Sequence, residues 1–264
     1  MLRYTEKLDV EGRYSEVGDA VAKWREARKT APPSLKAEFE SRLRISLIYH
    51  DAALEGEVLT YSEIKAAIDP TIISDVSLIP SYESIAAFNA ACDLGDAFGT
   101  GKKKTMKLDT IKEICGLLNE EEKAKGVPYR KANPLHRLYY HEIAAPEKIS
   151  YRMRKFSDWL EGSATKNLHP IERAAETHHR LMRISPWTKR NGRTARITAN
   201  AILQANDYPR AIIHSIDRQQ YFEALRNDVQ SLVWVYLEAV ETTALSETEV
   251  YEAASRGTRR RRRA

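Results

Sequence analysis

The chain has 264 residues, 42% hydrophobic and 30% charged, a balance typical of a folded globular domain. Its two cysteines, Cys92 and Cys115, are too few for a disulfide framework and favour a reducing compartment, so we expect a cytoplasmic protein. The N-terminus lacks the apolar core of a signal peptide, and no apolar run is long enough to cross a bilayer. We therefore expect neither a secreted nor a membrane protein.

The net charge of +5 is unevenly distributed along the chain. Arg256 and the arginines at 259–263 supply six positive charges, which leaves −1 for the rest of the chain. A block of like charge at a chain end favours a disordered, solubilising segment, and we predict one over residues 251–264. The alternative use of such a tail is to bind nucleic acid.

The N-terminal half of the chain reads as a series of helices. We predict that residues 1–15 are extended and that a first helix runs from Val17 to Arg28, within an N-terminal extension of residues 1–34. Apolar residues at helical spacing predict a second helix over residues 35–54, with Gly56 as its C-cap. Thr60 and Glu63 have the spacing of a capping box at the start of a third helix.

Further helices are predicted from Ser81, over residues 108–118, from Pro146 to Leu160, from His169 and over residues 221–241. Glycine and prolines interrupt residues 120–145, where residues 137–143 could form a short strand or a plain surface loop. With no internal repeat or change in composition, the chain reads as one mainly α-helical domain over residues 35–250.

The most informative stretch is Ile184–Arg196, which lies between two helical patterns. It holds a proline, a glycine and four cations, so it predicts a tight loop that leads into a helix N-terminus. Unpaired amides and a partial positive charge at such a terminus favour binding of an anion, and we predict phosphate. The alternative is a solvated, basic helix start. The cations are Lys189, Arg190, Arg193 and Arg196.

This stretch resembles the Fic (Fido) domain motif, which reads His-Pro-Phe-x-(Asp/Glu)-Gly-Asn-Gly-Arg-x-x-Arg. The resemblance extends from about residue 35 to residue 240 and implies a Fic-like helical bundle with a short β-hairpin flap. Three motif positions differ: Ser185 replaces the histidine, Lys189 the acid, and Arg190 the first glycine. The matching residues are Pro186, Asn191, Gly192, Arg193 and Arg196, with Trp187 in place of the phenylalanine.

The resemblance implies a protein adenylyltransferase, which transfers AMP from ATP to a protein hydroxyl. In the family the motif histidine is the general base, and Ser185 has no basicity near neutral pH with which to replace it. The family's acid holds magnesium, which Lys189 cannot bind, so we expect the metal site to be lost. The upstream His178 and His179 are expected to be ordinary polar or half-buried histidines.

The remaining motif residues imply a pocket for ATP or another nucleotide. Its predicted phosphate-binding residues are Lys189, Arg190, Asn191, Gly192, Arg193 and Arg196.

A second resemblance is carried by residues 50–56, which are similar to the Fic inhibitory helix, with Asp51 at its hydroxyl position. This implies that Glu55 pairs with Arg196 and obstructs the nucleotide; the alternative is a structural salt bridge. The implied flap would align a target protein as an added strand, with Arg137, Tyr139 and Tyr140 at the docking site.

Three hypotheses follow for function. The chain is a divergent Fic protein that keeps a nucleotide pocket but has lost or altered AMP transfer, or an enzyme that uses another base or donor. The third hypothesis is a non-enzymatic module that binds protein through the flap or nucleic acid through the arginine-rich tail. The sequence does not decide whether the chain is an enzyme.

Overall fold

The computed structural model describes residues 10–69, 71–72, 81–100, 105–119, 126–134 and 141–261. This part of the chain is mainly α-helical, as predicted, and contains no β-strand. Its helices are α1 (Val10–Thr30), α2 (Pro33–Leu54), α3 (Tyr61–Ile68), α4 (Tyr82–Gly99), α5 (Leu108–Leu117), α6 (Ile149–Glu161), α7 (Ser163–Lys166), α8 (Pro170–Ile184), α9 (Asn191–Gln204), α10 (Arg218–Arg226) and α11 (Val229–Arg261).

Helix α9 is the centre of the fold. Every residue from Gly192 to Leu203 is buried, with α8 packed along one side and α4 and α5 against others. Alanines at positions 195, 199 and 201 let these helices approach closely. The hydroxyls of Thr194 and Thr198 donate to carbonyls one turn back, which satisfies two buried polar groups. The first turn of α9 is therefore held rigidly inside the bundle.

Helices α1 and α11 pack side by side along much of their length. The buried Trp24 donates its indole N–H to Glu247 Oε2 at 2.6 Å, and Arg13 Nη1 donates to Glu241 Oε1 at 3.1 Å. The prediction that residues 1–15 are extended is wrong from Val10 onward. Contacts with α11 stabilise this first part of α1, and no local sequence pattern predicts these contacts.

The C-terminal segment also differs from the prediction. Residues 251–261 continue α11 as helix, where we predicted disorder, and residues 262–264 lie outside the described residues. Tyr251 is buried and donates its hydroxyl to Glu247 Oε1 at 2.5 Å within the same helix. Glu247 also accepts from Trp24 of α1, so this part of α11 is held against α1. Across the described ranges, no helix has the length and apolar character needed to cross a bilayer.

Two local signals near the end of α2 are confirmed. Thr60 and Glu63 form a reciprocal capping box at the start of α3. Gly56 has a φ of +83° and ends α2, with Glu57 N–H donating to Ala52 O at 2.9 Å and Gly56 N–H to Ala53 O at 3.1 Å. These two bonds form a Schellman motif, which turns the chain so that Glu55 and Glu57 follow α2 directly.

The predicted β-hairpin flap is not supported. Arg137, Tyr139 and Tyr140 lie outside the described residues, and the adjoining residues 141–145 form no strand. Their polar groups bond instead to the last turn of α8: Ala144 N–H donates to Arg183 O at 3.0 Å, and His141 Nε2 bonds Met182 O at 3.0 Å. The polar groups of residues 141–145 thus bond to carbonyls at the C-terminal end of α8.

Candidate functional site

The loop between α8 and α9 is tight and closed by hydrogen bonds, as its composition predicts. Ser185 and Arg190, which flank it, both adopt left-handed backbone conformations, with φ of 47° and 66°. Asn191 Nδ2 donates to Trp187 O at 2.8 Å and Trp187 N–H donates back to Asn191 Oδ1 at 3.0 Å. A left-handed conformation costs an arginine about 1–2 kcal/mol that glycine avoids, so surrounding contacts hold Arg190 in place.

Hydrogen bonds from Arg130 hold the start of this loop in place, and the sequence alone did not indicate this role of Arg130. It is buried, and its Nε donates to Ser185 O at 2.7 Å. Its backbone N–H donates to Pro186 O at 2.9 Å, and its Nη2 also bonds Ala144 O. Residues 126–134 and 141–145 are therefore fastened to the loop through one guanidinium group.

Arg193 and Arg196 extend from the first turns of α9 into a set of carboxylates. Asp51 accepts from both arginines, from Arg193 Nε at 2.9 Å and from Arg196 Nε at 2.5 Å. Glu55 Oε1 accepts from Arg196 Nη2 at 2.6 Å, so the Glu55–Arg196 pair expected from the family resemblance forms. The exposed fractions are 3% for both Asp51 and Arg193 and 5% for Arg196, so these charges are largely removed from water.

A third carboxylate, Glu57, joins Arg190 to Arg193. Its Oε2 accepts from Arg193 Nη2 at 2.6 Å and its Oε1 accepts from Arg190 Nη1 at 3.0 Å. Ser84 Oγ accepts from Arg193 Nη1 at 3.1 Å. The side chain of Arg190 thus lies beside Arg193 and is held by the same acid.

The cluster has three guanidinium groups and three carboxylates, Asp51, Glu55 and Glu57. Burial alone would lower the pKa of Arg196, but the neighbouring charge of Asp51 raises it well above its usual value. Burial would raise the pKa of Glu57, and the charges of the two arginines it contacts lower it instead. The three guanidinium charges of the cluster are therefore matched by three of the protein's own carboxylates.

Gly192 provides the space in which Glu55 lies. A Cβ atom at Gly192 would come within 2.4 Å of Glu55 Oε1 and 3.0 Å of Arg196 Nη1. Any side chain there would displace the carboxylate or the guanidinium.

Behind Arg196, a buried hydrogen-bonded chain leads away from the site. Arg196 Nη1 donates to the Tyr221 hydroxyl at 2.9 Å, which bonds His178 Nε2 at 3.0 Å, and His178 Nδ1 bonds the Tyr236 hydroxyl at 2.8 Å. Because the Tyr221 oxygen accepts from Arg196, its own proton is free to be donated to His178 Nε2. Burial lowers the pKa of His178 well below its usual value, so this imidazole is neutral and serves to hold Tyr221 and Arg196.

Ser185 and Lys189, which replace the histidine and the acid of the motif, lie in the loop between α8 and α9. Ser185 is half-buried, and its backbone N–H donates to Leu181 O at 2.7 Å. Lys189 is exposed. The structure thus brings together Arg190, Arg193, Arg196 and Glu55 at one cluster, with Gly192 against Glu55 and Asn191 closing the loop.

The motif spacing alone did not assign four of the residues that bind the arginines. These residues are Asp51, Glu57, Ser84 and Tyr221. Asp51 and Glu57 lie within four residues of Glu55. This cluster of acids, in a chain that also has an arginine-rich loop, is the sequence signal that could have indicated them. Ser84 carries no such signal.

Comparison with known proteins identifies relatives of this chain. Residues 105–203 match the model of the Fic/DOC family. A protein adenylyltransferase Fic from Nematostella vectensis is 30% identical over 220 residues, which cover 80% of this chain and 51% of that protein. The corresponding protein of Drosophila willistoni is 27% identical and is covered over 40% of its length. The chain thus spans about half the length of these relatives or less.

Solved structures share the fold. A Fic domain containing signaling protein from Bacteroides thetaiotaomicron superposes with a TM-score of 0.74 at 22% identity, over 90% of this chain and 96% of that one. A Fic-1 fragment from C. elegans gives a TM-score of 0.73 at 20% identity, over 91% and 72%.

Proposed function

Since this chain belongs to the Fic/DOC family through residues 105–203, we propose that it is a divergent member that binds a nucleotide at the first turn of α9. The relatives are named protein adenylyltransferases, so ATP is the first nucleotide to consider and a protein hydroxyl the corresponding acceptor. In this proposal AMP transfer is lost or altered.

The observation that carries the proposal is the convergence of Arg193 and Arg196 at the N-terminus of α9. Guanidinium forks bind phosphate oxygens in bidentate geometry, and helix amides add positive potential at the same place. Both arginines are bonded to carboxylates, which, like phosphate oxygens, accept hydrogen bonds from a guanidinium fork. A polyphosphate would therefore replace Glu55 and Glu57 at the guanidinium groups.

Two of the three altered motif positions support the loss of transfer. Ser185 offers no base for a target hydroxyl, and general-base assistance is typically worth about 10²–10⁴ in rate. The loop also does not fit magnesium, since Lys189 is a cation and the neighbouring carboxylates are bonded to arginines. The Lys189 ammonium would instead contribute positive charge towards bound phosphates.

Calorimetric titration with ATP, with and without magnesium, tests nucleotide binding. We expect weak or no binding to the wild type, and clear binding to the double variant Glu55→Gly/Glu57→Gln that is lost when Arg193→Ala is added. Arg154→Ala, which removes an exposed cation from α6, is the matched control and should bind as its parent does. Absence of heat in the folded double variant would refute the nucleotide pocket.

A second experiment tests transfer separately. Radiolabelled ATP, with the label in the α-phosphate, is incubated with candidate protein acceptors and either wild-type protein or a variant carrying Ser185→His, Lys189→Glu and Arg190→Gly. Wild-type protein should leave acceptors unlabelled, and the triple variant in the Glu55→Gly background should label them. Labelling by wild-type protein that disappears with Arg193→Ala would instead favour an enzyme with another base.

The alternative function is a non-enzymatic binding module. It is favoured by the six arginines within residues 256–264, which follow a body of near-neutral charge. Deleting these residues should abolish a salt-sensitive shift of DNA or RNA in a gel, and an unchanged shift would exclude the tail as the binding segment. A protein target at Arg137, Tyr139 and Tyr140 would be tested by substituting these three with alanine and measuring target binding.

A further inference from the structure

A second candidate site lies at the opposite end of α9 from the arginine cluster. A partly open cavity of about 310 Å³ lies where the ends of α4, α6 and α9 meet the start of α8. At 1.5 Å per helical residue, Ile202 at this end lies about 14 Å along α9 from Arg193. The cavity is therefore separate from the loop between α8 and α9 and from residues 50–56. Its apolar wall is formed by Phe98, Met106, Leu160 and Ile202.

Two cations line this cavity, and no acidic side chain does so among the described residues. Arg173, from the first turn of α8, contributes a guanidinium whose Nε atom is buried without a hydrogen-bond partner. Lys166, whose side chain is exposed, adds a second positive charge. The cavity thus combines apolar walls with uncompensated positive charge.

Arg173 differs from the other shielded arginines of this protein. Arg44, Arg193, Arg196 and Arg210 each bind at least one carboxylate, and the buried Arg130 donates to backbone carbonyls. Within the described ranges, the side chain of Arg173 has no ion pair or hydrogen bond. Burial also lowers its pKa, since no neighbouring negative charge opposes the cost of desolvation. A cation in the first turn of a helix is further disfavoured by the helix dipole, so the protein maintains this charge at a cost.

We propose that this cavity binds a small amphipathic anion, with one carboxylate or phosphate head on a short apolar chain. The head would accept hydrogen bonds from the guanidinium group of Arg173, which lines the cavity, with Lys166 adding charge beside it. The apolar chain would lie against the wall formed by the four hydrophobic residues. The volume lies at the lower end of the range for small-molecule sites, which restricts the ligand to a short chain.

The test is titration of the full chain with hexanoate and hexyl phosphate, followed by backbone amide NMR and calorimetry. Hexan-1-ol and inorganic phosphate are the comparison probes, because each lacks one half of the proposed ligand. At least one of the two anions should bind and shift the amide signals of Ile202 and Asn206. Binding by only one of them identifies the head group as carboxylate or phosphate.

Arg173→Met should weaken the binding by about ten- to hundredfold, as expected for loss of charge-assisted hydrogen bonds. Arg154→Met, which removes an exposed cation on α6, is the control and should bind as wild type does. Without ligand, Arg173→Met should keep or gain stability in urea, because it removes a half-buried charge that has no partner.

Three results would overturn the proposal. The first is no binding of either anion up to about 10 mM, the weak limit of a specific small-ligand site. The second is binding of hexan-1-ol or inorganic phosphate as tight as that of the matching anion. The third is a loss of stability in ligand-free Arg173→Met, which would indicate that Arg173 has a structural role within the protein.

Discussion

Asp51 is the residue on which the arginine cluster depends most, and its removal gives the sharpest prediction. Its carboxylate accepts from Arg193 and Arg196 at once, and all three side chains are nearly inaccessible to solvent. Asp51→Ala removes the one acid shared by these arginines and leaves buried positive charge with fewer partners. Breaking such a buried pair typically costs about 3–5 kcal/mol.

For a chain of this size, 1 kcal/mol shifts Tm by about 2–4 °C, so Asp51→Ala should lower Tm by about 6–20 °C. Urea unfolding followed by circular dichroism should show the corresponding loss in unfolding free energy. Asp158→Ala, which removes the same atoms from an exposed position on α6, is the matched control and should change stability by less than about 0.5 kcal/mol.

A double-mutant cycle with Arg196→Met separates the ion pair from simple loss of packing. If the charges are coupled, Arg196→Met should cost less in the Asp51→Ala background than in wild type, by about 0.5–3 kcal/mol. A loss for Asp51→Ala no larger than that of Asp158→Ala, or a cycle with no coupling, would refute the electrostatic account of this cluster.

Three further predictions concern the surroundings of the cluster. Gly56→Ala should destabilise by about 1 kcal/mol through its positive φ alone, since a Cβ there meets no atom within 4 Å, whereas Gly116→Ala, in helical backbone with equal space, should stabilise; urea unfolding of both variants checks this. The folded-state pKa of Glu57 is held below its unfolded value, so its stabilisation is present above that value and lost as the pH falls below about 4.3; Glu57→Gln should therefore show a smaller loss of unfolding free energy between about pH 5 and pH 3. Tyr236→Phe leaves the buried His178 Nδ1 without its partner and should cost about 1–3 kcal/mol, and the histidine ring signals in NMR should shift while those of exposed histidines do not.

The helices and caps near the site could be predicted because their signals are local. Gly56 ends α2 and Thr60 with Glu63 begins α3, and in each case the hydrogen bonds join residues within five positions of one another. The Glu55–Arg196 pair could be predicted only through resemblance to a family motif. No local pattern joins residues separated by 141 positions.

The features that escaped prediction depend on contacts between distant parts of the chain. Residues 10–15 are helical because Arg13 and Tyr14 pack against later elements, and residues 251–261 continue α11 as helix. Arg130 lies in a segment without secondary structure, so its role in holding Ser185 has no periodic signal. Glu57 becomes part of the site through bonds to Arg190 and Arg193, which follow it by 133 and 136 positions.

The Schellman turn at the end of α2 has a consequence for any molecule that approaches the arginines. Glu55 and Glu57 are attached to the fold on a short, rigid segment, so they act as intramolecular ligands whose effective concentration at the guanidinium groups is on the order of millimolar or above. A diffusing phosphate must compete with that local concentration, whatever its intrinsic affinity. Under the proposed function, nucleotide occupancy would therefore depend on how often the α2–α3 connection releases Glu55 and Glu57.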